Sequence, residues 1–131
     1  MATQYFQWED TFSAALTNLN GASIAGGGET QQGGSISNDE KWSTELGVSI
    51  SYGSTAPEAV EVRIYGETDD GTFATEPTAT YVVPANPSTV EGQRFEVPGT
   101  MSVFKVGVFN PSANGSVTAT VKPKQATLES V

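Results

Sequence analysis

The 131-residue sequence contains no cysteine and no histidine. Without cysteine there is no disulfide framework and no thiolate to act as nucleophile or ligand. Without histidine, the commonest general base and the commonest transition-metal ligand are missing. Ser-His-Asp, Cys-His and His-ligated zinc sites are therefore excluded within this chain. Serine–lysine and paired-carboxylate chemistry stay open, but no motif marks either. We expect a protein that is not an enzyme and that has no cofactor and no metal.

Long hydrophobic runs are also missing. No stretch approaches the ~20 consecutive apolar residues that a membrane-spanning helix requires. Residues 1–8 carry neither the basic part nor the apolar part of a secretory signal. We therefore expect no membrane partner, and synthesis and folding in a cytoplasm.

Basic residues are scarce, with six Lys and Arg against 15 Asp and Glu, for a net charge of −9. Residues 1–100 hold 14 of the acids and three of the bases, whereas residues 101–131 hold one acid and three lysines. An acidic surface repels phosphate, so we expect no nucleic-acid partner. Two interpretations of the asymmetry stay open. The charge can serve solubility alone, or the C-terminal third can dock on an acidic partner.

The clearest structural signal lies between residues 100 and 121. The run 103–109 is apolar on both faces, which is typical of a central strand covered on both sides. The run 116–121 alternates valine and alanine with serine and threonine, which indicates a half-buried strand. Between them, residues 110–115 are turn formers that include a proline and an Asn-Gly pair. This arrangement predicts a β-hairpin.

Further alternating runs occupy residues 46–52, 60–65 and 89–97, and a short β-branched run ends at Pro84. The 14 glycines and seven prolines fit many short strands joined by turns. No run favours a helix longer than a turn or two. We predict an all-β fold, one antiparallel β-sandwich of about seven or eight strands, with jelly-roll-like connections as one arrangement.

Composition divides this single domain into four segments. Residues 1–20 are an N-terminal aromatic arm or a first strand, because aromatic residues at a terminus either feed the core or anchor a partner. Pro123 is predicted to end the last strand, since proline cannot donate to a ladder. The remaining segments are a glycine-rich loop (21–40), the β-sandwich core (41–122) and a C-terminal tail (123–131).

Two groups of residues suggest chemistry. Glu67, Asp69 and Asp70 form the densest acidic group, which is either a solvated turn or a weak calcium site that departs from the twelve-residue calcium loop. Exposed aromatic residues on a sandwich can also bind carbohydrate, although such residues more commonly close the core or pair across strands. The candidates for a sugar platform are Trp8, Trp42, Tyr52, Tyr65 and Tyr81, with Arg63 beside Tyr65.

Three stretches resemble small β-sandwich virion proteins of tailed bacteriophages. They are 60–73 (VEVRIYGETDDGTF), 95–112 (FEVPGTMSVFKVGVFNPS) and 115–122 (GSVTATVK). In that family a strand ends in a short Asp/Gly loop, a Val-Phe-Lys-Val-Gly-Val-Phe-Asn strand follows, and a valine-rich strand leads to a tail. The likeness covers roughly residues 44–125.

The resemblance implies a non-enzymatic structural protein of the virion, a capsid decoration or cement protein that binds and stabilises the head shell. It implies the major capsid protein or other virion proteins as partners, and a homo-oligomer. A head–tail, neck or tail structural protein and a host-glycan-binding module are the alternatives. The expected partner-interface residues are Tyr5, Phe6, Trp8 and Phe12 in the arm, and Lys122, Lys124 and Leu128 in the tail.

Overall fold

The structure, a computed structural model, describes residues 4–52, 58–69, 71–87 and 89–130, and for residues 4 and 128–130 the backbone alone. Within these ranges the regular structure is entirely β, in eleven strands. They are β1 (Gln4–Trp8), β2 (Asn20–Ile24), β3 (Glu29–Gln31), β4 (Ile36–Ser37), β5 (Lys41–Ser51), β6 (Val60–Asp69), β7 (Thr72–Phe73), β8 (Ala79–Val83), β9 (Thr89–Pro98), β10 (Val103–Phe109) and β11 (Val117–Ser130).

The strands form two antiparallel sheets with jelly-roll order. Sheet A runs β1-β11-β5-β9, with β2 also on β11, and sheet B runs β3-β10-β6-β7, with β4 also on β10 and β8 also on β6. Three positions are each filled by two short strands that share one neighbour: β1 with β2, β3 with β4, and β7 with β8. The eleven strands therefore occupy eight positions, four in each sheet, which is the double-sheet arrangement of a jelly roll. The predicted all-β sandwich is confirmed.

The core lies between the two sheets and follows the alternation that the sequence shows. Leu46, Val48 and Ile50 of β5 are at most 1% exposed, and they face the fully buried Phe104, Val106 and Val108 of β10 through the sandwich. Burying each such side chain contributes about 1.5–3 kcal/mol. Because this core fixes the register of both sheets, it also fixes which side chains point outward.

The predicted hairpin of 103–109 with 116–121 is wrong. β10 pairs with β3, β4 and β6 in sheet B, whereas β11 pairs with β1, β2 and β5 in sheet A. The segment between them crosses from one sheet to the other. Its buried Asn110 donates hydrogen bonds to the carbonyl oxygens of Ile24 and Gly115, which fixes the crossing. β10 is nevertheless a central strand, as predicted.

Pro123 does not end the last strand, contrary to the sequence prediction, because β11 continues to Ser130. The backbone groups of Val121 and Gln125, two residues to either side, point toward the N-terminal segment 9–19 rather than toward β5. The nitrogen of Pro123, which carries no hydrogen, faces this N-terminal segment as well. The ladder between β11 and β5 therefore loses no hydrogen bond at Pro123. The carbonyl oxygen of Pro123 still accepts from the N–H of Ser13.

Candidate interaction surface

The outer face of sheet A carries a group of aromatic side chains. In β11, Val117, Ala119 and Val121 point into the core, so the alternate positions point outward. In β1, Phe6 lies opposite Leu128 and Trp8 lies opposite Ala126, which places both rings on that outward side. We call the surface formed by Phe6, Trp8, Phe12 and Trp42 the aromatic face.

Phe6 and Trp42 form an exposed stack on this face. Their ring centroids lie 4.2 Å apart with 24° between the planes. Phe6 nevertheless remains 50% exposed and Trp42 52% exposed, and Tyr5 beside them is 42% exposed. Together with Val82 on sheet B, these are the large hydrophobic side chains that the described part of the chain leaves exposed. Phe6 and Trp42, two of these four, therefore meet at one place on the outer face of sheet A, which is typical of an interaction surface rather than of scattered surface apolar residues.

Phe12 lies on the middle of sheet A because β5 has a glycine there. A Cβ at Gly47 would lie 3.0 Å from the Phe12 ring, so a side chain there would push the ring away from the strand. The Arg94 guanidinium carbon and the Lys124 Nζ each lie 5.4 Å from the centre of the ring. At that distance each cation is attracted by the ring quadrupole, and both cations are held beside an apolar surface.

Two shallow hollows open on this side of sheet A. One, of about 410 Å³, lies beside Phe12 and is lined also by Ser49, Glu91, Arg94 and Lys122. The other, of about 320 Å³, lies beside Trp42 and is lined also by Lys41, Glu96 and Thr100. Aromatic walls with a few polar groups can receive side chains or small groups of a partner.

The cationic side chains on and beside this face form few ion pairs with carboxylates of the chain. Arg94, 62% exposed, reaches the Glu45 carboxylate at 3.4 Å. Among the described residues, no carboxylate lies within ion-pair distance of Lys122 or Lys124. With Lys41 in the hollow beside Trp42, four of the six basic residues of a chain with a net charge of −9 lie on or beside the aromatic face.

The structure brings most of the predicted interface residues onto one side of sheet A. Phe6, Trp8 and Phe12 belong to the aromatic face, and Lys122 and Lys124 point outward beside it. Tyr5 alternates to the other side of β1. The backbone of Leu128 pairs with Phe6, and its side chain lies outside the described residues.

Sequence reasoning left Trp42 and Arg94 out of the interface. Trp42 was considered only as a sugar platform, and its position beside Phe6 depends on the pairing of β1 and β5 with β11. Arg94 reaches the face because Gly47 pairs with it across β5 and β9. Neither pairing leaves a local signal in the sequence.

The outer face of sheet B has a different character. Arg63 of β6 contacts the carboxylates of Glu29 at 2.9 Å and Glu61 at 2.8 Å, and its guanidinium lies 3.9 Å from the centre of the Phe109 ring. The Tyr65 hydroxyl donates to Glu29 at 2.6 Å, and Gln31 donates to the same oxygen at 2.8 Å. Every charge in this network thus has a partner within the chain.

The network shifts the titration of its members. Burial alone would raise the pKa of the Glu29 carboxyl, but hydrogen bonds from Tyr65, Gln31 and Arg63 outweigh burial and hold that pKa below its usual value. Burial and then the hydrogen bond to the Glu29 carboxylate raise the pKa of Tyr65 to about 12. The network is therefore at its strongest with Glu29 ionised and Tyr65 protonated.

Several residues proposed for chemistry are engaged in the fold. Tyr65 is 5% exposed within the network, and Tyr52 is 4% exposed with its hydroxyl donating to the Val83 carbonyl. Tyr81 stacks on Phe95 with 5.1 Å between ring centres. Of the five aromatic candidates, the half-buried Trp8 and the 52% exposed Trp42 are the two that lie on the aromatic face.

The acidic loop is described only in part, because Asp70 lies outside the described residues. Glu67 accepts a hydrogen bond from the Gly71 N–H. No group of three or more acidic side chains that could hold a metal ion occurs in the ranges that the structure covers. In the same ranges no helix is long and apolar enough to cross a membrane.

No protein-family model and no curated protein matches this sequence. Solved structures do share the fold. The VP2 subviral particle of infectious bursal disease virus aligns with 95% of this chain at 14% identity and a TM-score of 0.50. The enzymatically active domain of tailspike protein 4 of bacteriophage CBA120 aligns with 98% at 13% identity and a TM-score of 0.52. BuGH86, solved in complex with neoagarooctaose, aligns with 97% at 11% identity and a TM-score of 0.51.

This chain spans 33% of the VP2 chain, 19% of the tailspike chain and 20% of the BuGH86 chain. At such low identity the likeness shows the fold alone. The β-sandwich of this chain is therefore a fold that a virus capsid protein and a phage tailspike also contain.

Proposed function

We propose that the chain is a non-enzymatic structural protein of a phage virion, a decoration (cement) protein that attaches to the head shell through the aromatic face. The observation that carries the proposal is the Phe6–Trp42 stack, which stays half exposed on the same side of sheet A as Lys122 and Lys124, two lysines that pair with no carboxylate among the described residues. Capsid and phage proteins among the structures with this fold support the virion setting.

The mechanism is burial of an interface on a rigid sandwich. Aromatic residues and arginine are enriched at the centres of protein interfaces because they bury much area at little entropic cost. The Phe6–Trp42 stack supplies the apolar anchor, while Arg94, Lys122 and Lys124 favour acidic groups on the shell. By contacting neighbouring capsid subunits at once, the chain would hold them together without any chemical step. The lack of histidine and cysteine supports a role that needs no catalysis.

The test is co-sedimentation with empty capsids assembled from the major capsid protein of the same genome. We expect saturable binding by the wild-type chain, and at least a tenfold loss of affinity in Trp42→Ala, a typical effect at an interface anchor. Val82→Ala is the matched control, because Val82 is 56% exposed on sheet B. Binding to purified tails but not to capsids would instead favour a neck or tail protein.

Glycan binding is a second candidate, favoured by the hollow beside Trp42. An exposed indole next to Lys41, Glu96 and Thr100 offers one stacking surface and several polar groups to a sugar ring. A glycan array would test it. Binding that Trp42→Ala abolishes, together with no binding to capsids, would replace the decoration proposal.

A further inference from the structure

The strands at the edges of the two sheets differ in how they are protected against pairing with another chain. Natural edge strands are interrupted by charges, prolines, bulges or very short length. β9 carries Gly92 in the left-handed region (φ 71°), charged Arg94 and Glu96, and Pro98. The other edge strands in the described ranges have such devices as well. β2 contains Gly21 at φ 67°, and β3 contains the charged Glu29. β4 and β7 are only two residues long. β8 is followed directly by Pro84, and its Tyr81 hydroxyl donates a hydrogen bond to the Glu96 carbonyl of β9.

β1 has none of these devices. Its five residues, Gln-Tyr-Phe-Gln-Trp, include no charge, no proline and no glycine. Among the strands formed by the described residues, it is the last of sheet A and pairs with β11 alone. Its aromatic side chains include the exposed Phe6 and Tyr5. By the criteria that describe natural edges, β1 is an unprotected pairing edge.

The backbone of β1 is oriented for such pairing. The Glu9 N–H donates to the Gln125 carbonyl, so odd-numbered residues of this segment direct their backbone groups toward β11. In an antiparallel ladder these groups alternate between the two sides of a strand. Phe6 and Trp8 therefore direct their N–H and C=O groups away from β11, toward the open edge.

We propose that this edge pairs with β1 of a second copy of the chain, antiparallel and about a two-fold axis at Phe6. This register sets Phe6 opposite Phe6 of the second copy, Gln4 opposite Trp8, and Tyr5 opposite Gln7. Sheet A then continues through both copies in the order β9-β5-β11-β1-β1-β11-β5-β9. The proposal deepens the oligomer expected of a virion protein, but it does not depend on what the aromatic face binds.

A second copy fits this edge better than a charged partner strand does. β1 is the same strand on both copies, so a two-fold interface is self-complementary. None of the chain's 15 acidic residues lies in Gln4–Trp8, so no like charges oppose one another within the pairing.

Charge predicts how salt changes the association. Two chains of net charge −9 repel each other at long range, whereas the proposed contact contains backbone hydrogen bonds and rings but no ion pair. Raising NaCl from about 0.05 M to about 0.5 M screens the repulsion. We therefore expect tighter dimers at higher salt, the opposite of an interface held by salt bridges.

The first experiment is the mass of the chain in solution, by light scattering over a range of concentrations and at both salt levels. We expect twice the 13.7 kDa of one chain at high concentration. Phe6→Lys sets two like charges against each other at the axis, and we expect it to weaken dimerisation at least tenfold. Val82→Lys, which puts the same charge on an equally exposed site of sheet B, should leave the dimer intact.

The second experiment uses the absence of native cysteine. Oxidation of Phe6→Cys should give a covalent dimer on a non-reducing gel, because directly opposed residues of two strands lie within reach of a disulfide. Val82→Cys should stay monomeric on the same gel. Circular dichroism checks that both variants remain folded.

Three results would overturn the proposal: a wild-type chain that stays monomeric throughout, a dimer that survives Phe6→Lys, or a dimer in which Phe6→Cys fails to cross-link. Exchange of β1 between chains would give the third result. A confirmed dimer that does not bind capsids would contradict the decoration role alone.

Discussion

The two outer faces of this sandwich each belong to an antiparallel sheet with four strand positions, yet they differ in how fully their side chains are engaged. On sheet B, Arg63 is held by two carboxylates and an aromatic ring, and Glu29 accepts from three side chains. On sheet A, Phe6 and Trp42 stack on each other and remain half exposed, and Arg94 has one carboxylate at 3.4 Å and the Phe12 ring at 5.4 Å.

This difference separates residues that stabilise the fold from residues that are free to bind. A charge whose hydrogen bonds are all made inside the chain has little to gain from a partner, and its loss leaves buried groups unpaired. A half-exposed aromatic ring or an unpaired lysine contributes little to folding, because its interactions are largely with water. The network around Arg63 and Glu29 on sheet B therefore stabilises the fold, whereas the aromatic face of sheet A is the candidate for assembly.

The largest expected contrast is between the two arginines. Arg63→Ala should lower the free energy of unfolding by about 2–3 kcal/mol, because it leaves Glu29 half-buried without its cation and uncovers Phe109. Arg94→Ala should lower it by about 0.5 kcal/mol or less, as at other exposed ion pairs. Urea unfolding of both variants measures the difference. Equal losses in the free energy of unfolding would mean that Arg94 stabilises the fold as much as Arg63 does, and the contrast between the two faces would fail.

Alkaline pH should weaken the sheet B network selectively. The pKa of Tyr65 is raised to about 12, above its ordinary value near 10. The stability that this hydroxyl contributes is therefore complete below about pH 10 and is lost as the pH rises through about 12. Thermal unfolding followed from pH 8.5 to 11.5 should show a steeper decline in the wild-type chain than in Tyr65→Phe. Parallel declines would exclude a stabilising role for the Tyr65–Glu29 hydrogen bond.

The smallest expected effect concerns the aromatic stacks. A double-mutant cycle on Phe6 and Trp42 should give a coupling energy near 0.5 kcal/mol, the low end for aromatic pairs, because both rings face water. The Tyr81–Phe95 stack, which packs against the core, is the matched comparison and should give about 1 kcal/mol or more. Both cycles are measured at protein concentrations low enough to keep the chain monomeric. A stronger coupling for Phe6–Trp42 would make it a folding contact rather than an interaction surface.

The sequence predicted the sandwich because alternation is a local signal. Apolar and small or polar residues alternate from Leu46 to Ile50 and from Val117 to Val121. The apolar residues of both runs are buried in the core, as the alternation predicts. The predicted hairpin failed because turn formers mark a change of direction, and they do not say whether the next strand pairs with the last one or crosses to the other sheet. The extension of β11 past Pro123 was not predictable for a similar reason. It depends on which side of the strand the proline nitrogen faces, and that follows from tertiary structure rather than from the local sequence.

The candidate surface was predictable in part for the same reason. Exposed aromatic residues near one end of the sequence and lysines near the other suggested an interface, and sheet A brings the two together through β1 and β11. Trp42 and Arg94 join them only through the pairing of β5 with β11 and β9. The Glu29–Arg63 ion pair, 34 residues apart in sequence, likewise appears only once β3 and β6 flank β10.

The most direct test of the difference between the two faces is hydroxyl-radical footprinting of the chain free and bound to empty capsids, read by mass spectrometry at single side chains. Phe6, Trp42 and Val82 start from comparable exposure, between 50% and 56%. We expect oxidation of Phe6 and Trp42 to fall on binding, while oxidation of Val82 on sheet B stays unchanged. Protection of Val82 with Phe6 and Trp42 still fully reactive would place the binding surface on sheet B and contradict the account.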